Sequence, residues 1–195
     1  MVKGSDEDME GLIRRVKSKQ KKMFEIGKST ISLDAILNQC LPSVNECIKL
    51  ISFDGGFSSI SFISLIARKE TITELTASSL RIGEKQFIYL AKLSQAGKLN
   101  KATFFLSTLM KEDKKRIGKY NYYGKFEQIC KLNNWDNIVI NNHSKIILMR
   151  TKDNYYILET SSNLNENPKI EQYSFENDKE LYDFYYDFFE ILKGR

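Results

Sequence analysis

His143 is the chain's single histidine, and Lys145 stands two residues after it. On an extended segment, residues i and i+2 project to the same side. The imidazole and the ammonium are therefore expected in one pocket, with Ser144 facing away. That pairing suits phosphate chemistry, because an imidazole serves as nucleophile or proton carrier near neutral pH and a lysine holds the charge of a phosphate oxygen. A small polar run, Thr160-Ser161-Ser162-Asn163, follows at the end of the next expected strand, where hydroxyls and amides fix a ring or bind an oxyanion. Glu171 comes next, on a further strand directed to the same pocket. Without these neighbours a lone strand histidine would read as structural.

The elements that must position these groups alternate in type. Leu12, Ile13, Val16, Met23 and Phe24 fall at helical spacing and predict a basic amphipathic helix ending near Ile26. A short helix is expected after Ser32, a plausible N-cap, stopping before Pro42. Strands are expected at 46–53, 71–79 and 101–109. The first is followed by a turn at Gly55-Gly56 and a helix to about Arg68, the second by a helix carrying Phe87, Leu90 and Ala91. A helix holding Phe126, Ile129, Cys130 and Leu132 ends at Asn133-Asn134, and a strand at 136–142 then leads to His143. A hairpin over 145–159, a strand at 170–175 and a helix from about Asn177 to Leu192 complete the chain. Along that helix Leu181, Phe184 or Tyr185, Phe188 and Leu192 predict a core or subunit-interface face. Alternating strands and helices imply an α/β sandwich with a mixed sheet.

A chain of 195 residues with 42% hydrophobic content suits one domain with a sizeable core. It shows no signal-like segment and no run of about 18 apolar residues, so a soluble, cytoplasmic protein without a membrane partner is expected. Cys40, Cys47 and Cys130 lack metal-type spacing and read as buried free thiols, and no metal site is expected. The net charge of +5 is unevenly spread. Arg14, Arg15, Lys17, Lys19, Lys21 and Lys22 form one basic run. Lys114, Lys115, Arg116, Lys119 and Lys125 form a second, interleaved with Tyr120, Tyr122 and Tyr123. Cations that hold phosphates beside aromatics that stack on bases make a nucleic-acid surface, although each run also reads as a solvated face.

Over His143 to Glu171 the chain resembles the phospholipase D-like superfamily, whose signature is His-x-Lys, an Asp, a hairpin, Gly-Ser-x-Asn and a later acid. His143 and Lys145 match the opening, Ser161 and Asn163 the second element, and Glu171 the late acid. The run SSNLNENPKIEQ is similar to phospholipase D-like proteins of phages and other mobile elements. Thr160 stands in place of the Gly, and Arg150 where the Asp is expected. Asp153 keeps the spacing to the second element, but in TKDN it also reads as an ordinary turn residue.

The resemblance implies a phospholipase D-like α-β-α sandwich over residues 43–195, with a basic helical segment, 1–42, added before it. It also implies a phosphodiesterase that needs neither metal nor cofactor but does need two histidines, and hence a homodimer. His143 would attack phosphorus and the partner subunit's His143 would protonate the leaving oxygen. Lys145 and Asn163 would hold the non-bridging oxygens, Ser161 would support the site and Glu171 would fix the imidazole tautomer. The expected partner is nucleic acid, DNA ahead of RNA, bound through Arg14, Arg15, Lys17, Lys114, Lys115, Arg116 and Lys119. The alternative is a catalytically inactive nucleic-acid-binding protein or assembly subunit that keeps the pocket, to which Arg150 and Thr160 point.

Overall fold

Alternating burial along the middle of the chain builds one sheet. In β2 (Glu46–Phe53), Ile48 and Leu50 are buried while Lys49 and Ile51 project to the opposite face. The computed structural model describes the backbone of 22–28 and residues 41–53, 57–112, 122–165 and 169–194. Around β2 lie β1 (Lys22–Lys28), β3 (Ile72–Ser79), β4 (Leu99–Ser107), β5 (Asp136–Ile140), β6 (Ile146–Arg150), β7 (Tyr155–Thr160) and β8 (Glu171–Asn177). Their spatial order is β1-β2-β8-β7-β6-β3-β4-β5. The pairs β1/β2, β3/β4 and β4/β5 are parallel, whereas β8, β7 and β6 run antiparallel to both neighbours.

The helices are α1 (Ser59–Lys69), α2 (Glu84–Gln95), the short α3 (Thr108–Glu112), α4 (Tyr123–Leu132) and α5 (Lys179–Lys193). The crossovers from β2 to β3, β3 to β4 and β4 to β5 join strands of one sense and step the same way across the sheet. A single crossover hand therefore puts α1, α2 and α4 on one face. There Phe62 and Ile66, Phe87 and Leu90, and Phe126 and Cys130 share a core with Leu75, Phe104, Met149 and Phe175. Phe104 packs edge-on against Phe126, with ring centres 5.3 Å apart, and tilts against Trp135 at 5.6 Å. The other face carries α5, whose Tyr182 and Phe189 cover Phe105, Leu148 and Ile157. The result is the expected α-β-α sandwich around a mixed sheet.

Several local expectations change. Residues 22–28 form β1, so the helix expected to reach Ile26 does not include 22–26, and this stretch belongs to the sheet. Phe24 and Ile26 favour strand, and Gly27 penalises helix by about 1 kcal/mol. The third strand starts and ends earlier than expected, and Thr108 opens α3. On α5 the buried face runs through Tyr182 and Phe189, while Phe184 and Phe188 are 66% and 48% exposed. Of the expected stripe, Leu181, Tyr185 and Leu192 pack against this buried face, whereas Phe184 and Phe188 turn outward, because an almost continuous apolar arc does not mark its own centre. Asp178 is the N-cap, accepting from Leu181 N at 3.0 Å, and Asn177 ends β8. Cys47 and Cys130 are buried free thiols as expected, and burial pushes Cys130 up to about 12. Cys40 and the short helix expected after Ser32 lie outside the described residues.

Candidate active site at one edge of the sheet

Antiparallel pairing of β6, β7 and β8 determines where the signature residues meet. Ile146 is paired with Glu159, and Thr160 with Tyr173, so the start of β6, the end of β7 and the start of β8 share one edge of the sheet. The end of β3 arrives there through Ser78, paired with Ile146, and the end of β2 through Ser52, paired with Glu171. His143, Lys145, Ser161, Asn163 and Glu171 are all delivered to that edge.

His143 was expected on a strand. It lies instead in the connection between β5 and β6, outside the ladder. What shapes this connection is the buried amide of Asn142, which donates to Phe105 O at 2.8 Å and to Ser78 Oγ at 2.9 Å. Its Oδ1 accepts from the Ser144 N–H at 2.9 Å and the Ser144 hydroxyl at 2.8 Å. The Ser144 hydroxyl also meets Ser78 Oγ at 2.5 Å. Ser144 is thus turned inward, and the residues on either side of His143 are pinned while the imidazole stays exposed.

Lys145 folds back over this connection. Its Nζ donates to His143 O at 2.8 Å and lies 3.4 Å from the ring Nδ1. Partial burial lowers its pKa from the usual lysine value, and the charge of Glu171 opposes that shift in part. Glu171 is buried at the first position of β8 and accepts a short hydrogen bond from the Ser161 hydroxyl. Ser161 Oγ in turn accepts from Gln172 N at 3.0 Å. The cation, the imidazole, the hydroxyl and the carboxylate therefore form one cluster. Asn163 is placed beside it: Ser79 Oγ donates to its Oδ1 at 3.4 Å and accepts from Leu164 N at 3.0 Å.

The departures from the signature have structural readings. The Thr160 hydroxyl accepts from Ser162 N at 2.9 Å, a side-chain turn that replaces the freedom of glycine with a hydrogen bond. Arg150 sits at the far end of β6, 3.5 Å from Glu74 Oε2. Asp153 is exposed in the turn closed by Thr151 N to Asn154 O at 3.0 Å, at the opposite edge from His143. It is a turn residue.

Arg14, Arg15, Lys17, Lys114, Lys115, Arg116 and Lys119 lie outside the described residues. Of the second basic run, Lys125 pairs with Glu84 at 2.7 Å. Tyr123 is buried and accepts from Asn137 Nδ2 at 3.0 Å, so it belongs to the core and is no platform for a base. Asn142, Ser78 and Ser79 escape a sequence reading. Their only signals are polar residues directly after apolar strands, which resemble ordinary strand ends.

No family model and no curated protein matches the chain. Among solved structures, the polyphosphate kinase of Porphyromonas gingivalis is similar over 69% of this chain and 24% of its own, with a TM-score of 0.54 and 17% identity. The phosphatidylserine synthase of Haemophilus influenzae Rd KW20 covers 66% of this chain and 34% of its own, at a TM-score of 0.43 and 17% identity. The chain thus spans about a quarter and a third of these two proteins. The former likeness shows the fold alone, a mixed-sheet α/β sandwich shared with part of the polyphosphate kinase.

Proposed function

We propose that the protein catalyses phosphoryl transfer at a phosphodiester, as a nuclease, through a phosphohistidine formed on His143. The observation that carries this reading is the convergence of Lys145 Nζ on His143, 3.4 Å from its Nδ1, beside the Ser161–Glu171 pair at one sheet edge. An imidazole nitrogen attacks phosphorus, the P–O bond to the leaving group breaks, and that oxygen takes a proton from the partner subunit's His143. Water, giving a proton to the partner subunit's His143, then attacks phosphorus, the P–N bond breaks, and the imidazole is released. Because the chain has one histidine, two copies are needed for both roles. In this reading Lys145 holds one non-bridging oxygen and the amide of Asn163 a second.

For Nε2 to attack, the ring proton must sit on Nδ1, whereas an Nδ1 that accepts from Lys145 leaves the proton on Nε2. Lys145 must therefore leave the ring as it takes up phosphate, freeing Nδ1–H for a carboxylate such as Glu171. The same contact, left unchanged, favours a second reading in which the pocket binds phosphate without turnover.

The test is hydrolysis of bis-p-nitrophenyl phosphate, single- and double-stranded DNA, and RNA in EDTA, with molecular mass measured in the same buffer. His143→Ala is expected to lower the rate by at least about 10²–10⁴-fold in a dimeric species, with acid-labile phosphate trapped on the wild type only. Cleavage that survives His143→Ala overturns the proposal, and a dimer that binds nucleic acid without turnover selects the second reading.

A further inference from the structure

Lys145 also stands at the mouth of a second feature. Among the described residues α5 covers the sheet face over β6, β7, β4 and β5, and leaves open the part formed by β8 and β2. An open cleft of about 480 Å³ runs there from Lys145 across the strands, lined by Ile146, Glu159, Thr160, Gln172, Ile51 and Lys49 among others. Such a volume matches a whole organic ligand rather than a single ion.

The chemistry of the walls narrows the occupant. Lys49 Nζ donates to Ser174 Oγ at 2.5 Å and lies 3.8 Å from Glu176 Oε1, while Ser174 Oγ donates to that same oxygen at 2.6 Å. Glu159 takes the hydroxyl of Tyr185. Lys49, the other cation lining the cleft, is thus paired with Glu176, and Glu159 adds a negative charge with one oxygen left to accept, which does not suit a second phosphate. The polar walls do not suit an acyl chain either, because hydrocarbon would strip water from Glu159, Gln172 and Lys49. Ile51, 44% exposed, and Ile146 add an apolar surface between these polar groups. A flat group that is neutral, has hydrogen-bonding edges and carries hydroxyls satisfies all three demands.

We propose that this cleft is a nucleoside subsite, holding the base and sugar attached to the phosphate that Lys145 binds. The base lies on Ile51 and Ile146, its edge meets Gln172 and Thr160, and Glu159 accepts from a sugar hydroxyl. The assignment rests on the reading of Lys145 as a phosphate-binding group.

The test is calorimetric titration of the full chain with inorganic phosphate, adenosine 5′-monophosphate, adenosine and dihexanoyl phosphatidate. The nucleotide is expected to bind at least about tenfold more tightly than inorganic phosphate, or about 1.4 kcal/mol. Ile51→Glu and, separately, Gln172→Ala should remove most of that advantage with phosphate affinity unchanged. Equal affinity for nucleotide and phosphate, an advantage that survives both substitutions, or preference for the phosphatidate overturns the subsite. Failure of the phosphate reading looks different: inorganic phosphate then does not bind, or binds Lys145→Ala equally well. In that case adenosine binding that is lost in Ile51→Glu still supports the nucleoside cleft, and absence of adenosine binding overturns it.

Discussion

Two buried tyrosines show how much a single hydroxyl depends on its surroundings. Tyr156 Oη donates to Glu70 Oε1 at 2.8 Å, in a cluster where the Glu70 carboxylate also accepts from Asn154 Nδ2 at 3.1 Å. Tyr182 Oη is equally buried and finds no hydrogen-bond partner among the described residues. Burial raises the pKa of both phenols, so both stay neutral. Tyr156→Phe should cost about 1–3 kcal/mol because it leaves a carboxylate oxygen without its donor. Tyr182→Phe should be neutral or stabilising, since the hydroxyl it deletes had lost its water without replacement. Urea unfolding of both variants checks the contrast. Lys145 allows a kinetic prediction. Its pKa lies below the ordinary 10.5, and the ammonium is the form that holds phosphate, so activity should fall with rising pH before an ordinary lysine would titrate. Lys145→Arg keeps its charge to much higher pH, and in a kcat/KM profile its alkaline limb should move upward or disappear.

At the scale of elements, the connection between β5 and β6 matters more than the strands that flank it. Asn142 is its anchor, and Asn142→Ala would strand the Ser144 N–H and the Phe105 carbonyl, a loss of about 1–3 kcal/mol readable in denaturant unfolding. Asn142→Asp should not rescue it, because a carboxylate would then face the Phe105 carbonyl. The strands and helices themselves were largely legible. The hairpin, β8 and α1 fall close to where period-two and period-3.6 patterns put them, since each has one apolar face and punctuating polar residues. The pairing of Lys145 with His143 was legible from their spacing, although the contact is made by a lysine folding back in a loop. Asn142 was not legible, because its partners come from β3, β4 and the loop itself, and nothing local announces a long-range hydrogen bond. β1 was misread for a related reason: a short edge segment has weak local preference, and its parallel partner comes later in the chain.

Taken as a whole, the molecule has two unequal faces. One is roofed by helices from successive crossovers and holds most of the core. Among the described residues the other is roofed by α5 alone, which leaves the β8–β2 side open for the cleft. Phe184, Phe188 and Ile191 form an exposed apolar flank on that helix. The sequence indicated an apolar helix but not which of its residues would be left over, because that depends on how wide a sheet lies beneath. The signature's order along the chain did transfer to space, since antiparallel neighbours bring a strand start, a strand end and a strand start to one edge.

The position of β8 has a kinetic side. It is the last strand in sequence, yet it sits between β2 and β7 and joins β1 and β2 to the other five. Until it is inserted, β2 has a long unpaired flank, because the residue opposite Glu46 is Asn177, at the far end of the chain. Closing so long a loop is slow, and open strand flanks are where chains pair with the wrong neighbour. The strand that brings Glu171 to the Lys145 cluster is therefore also the one that joins the two parts of the sheet, so the site cannot be complete before the sheet is continuous.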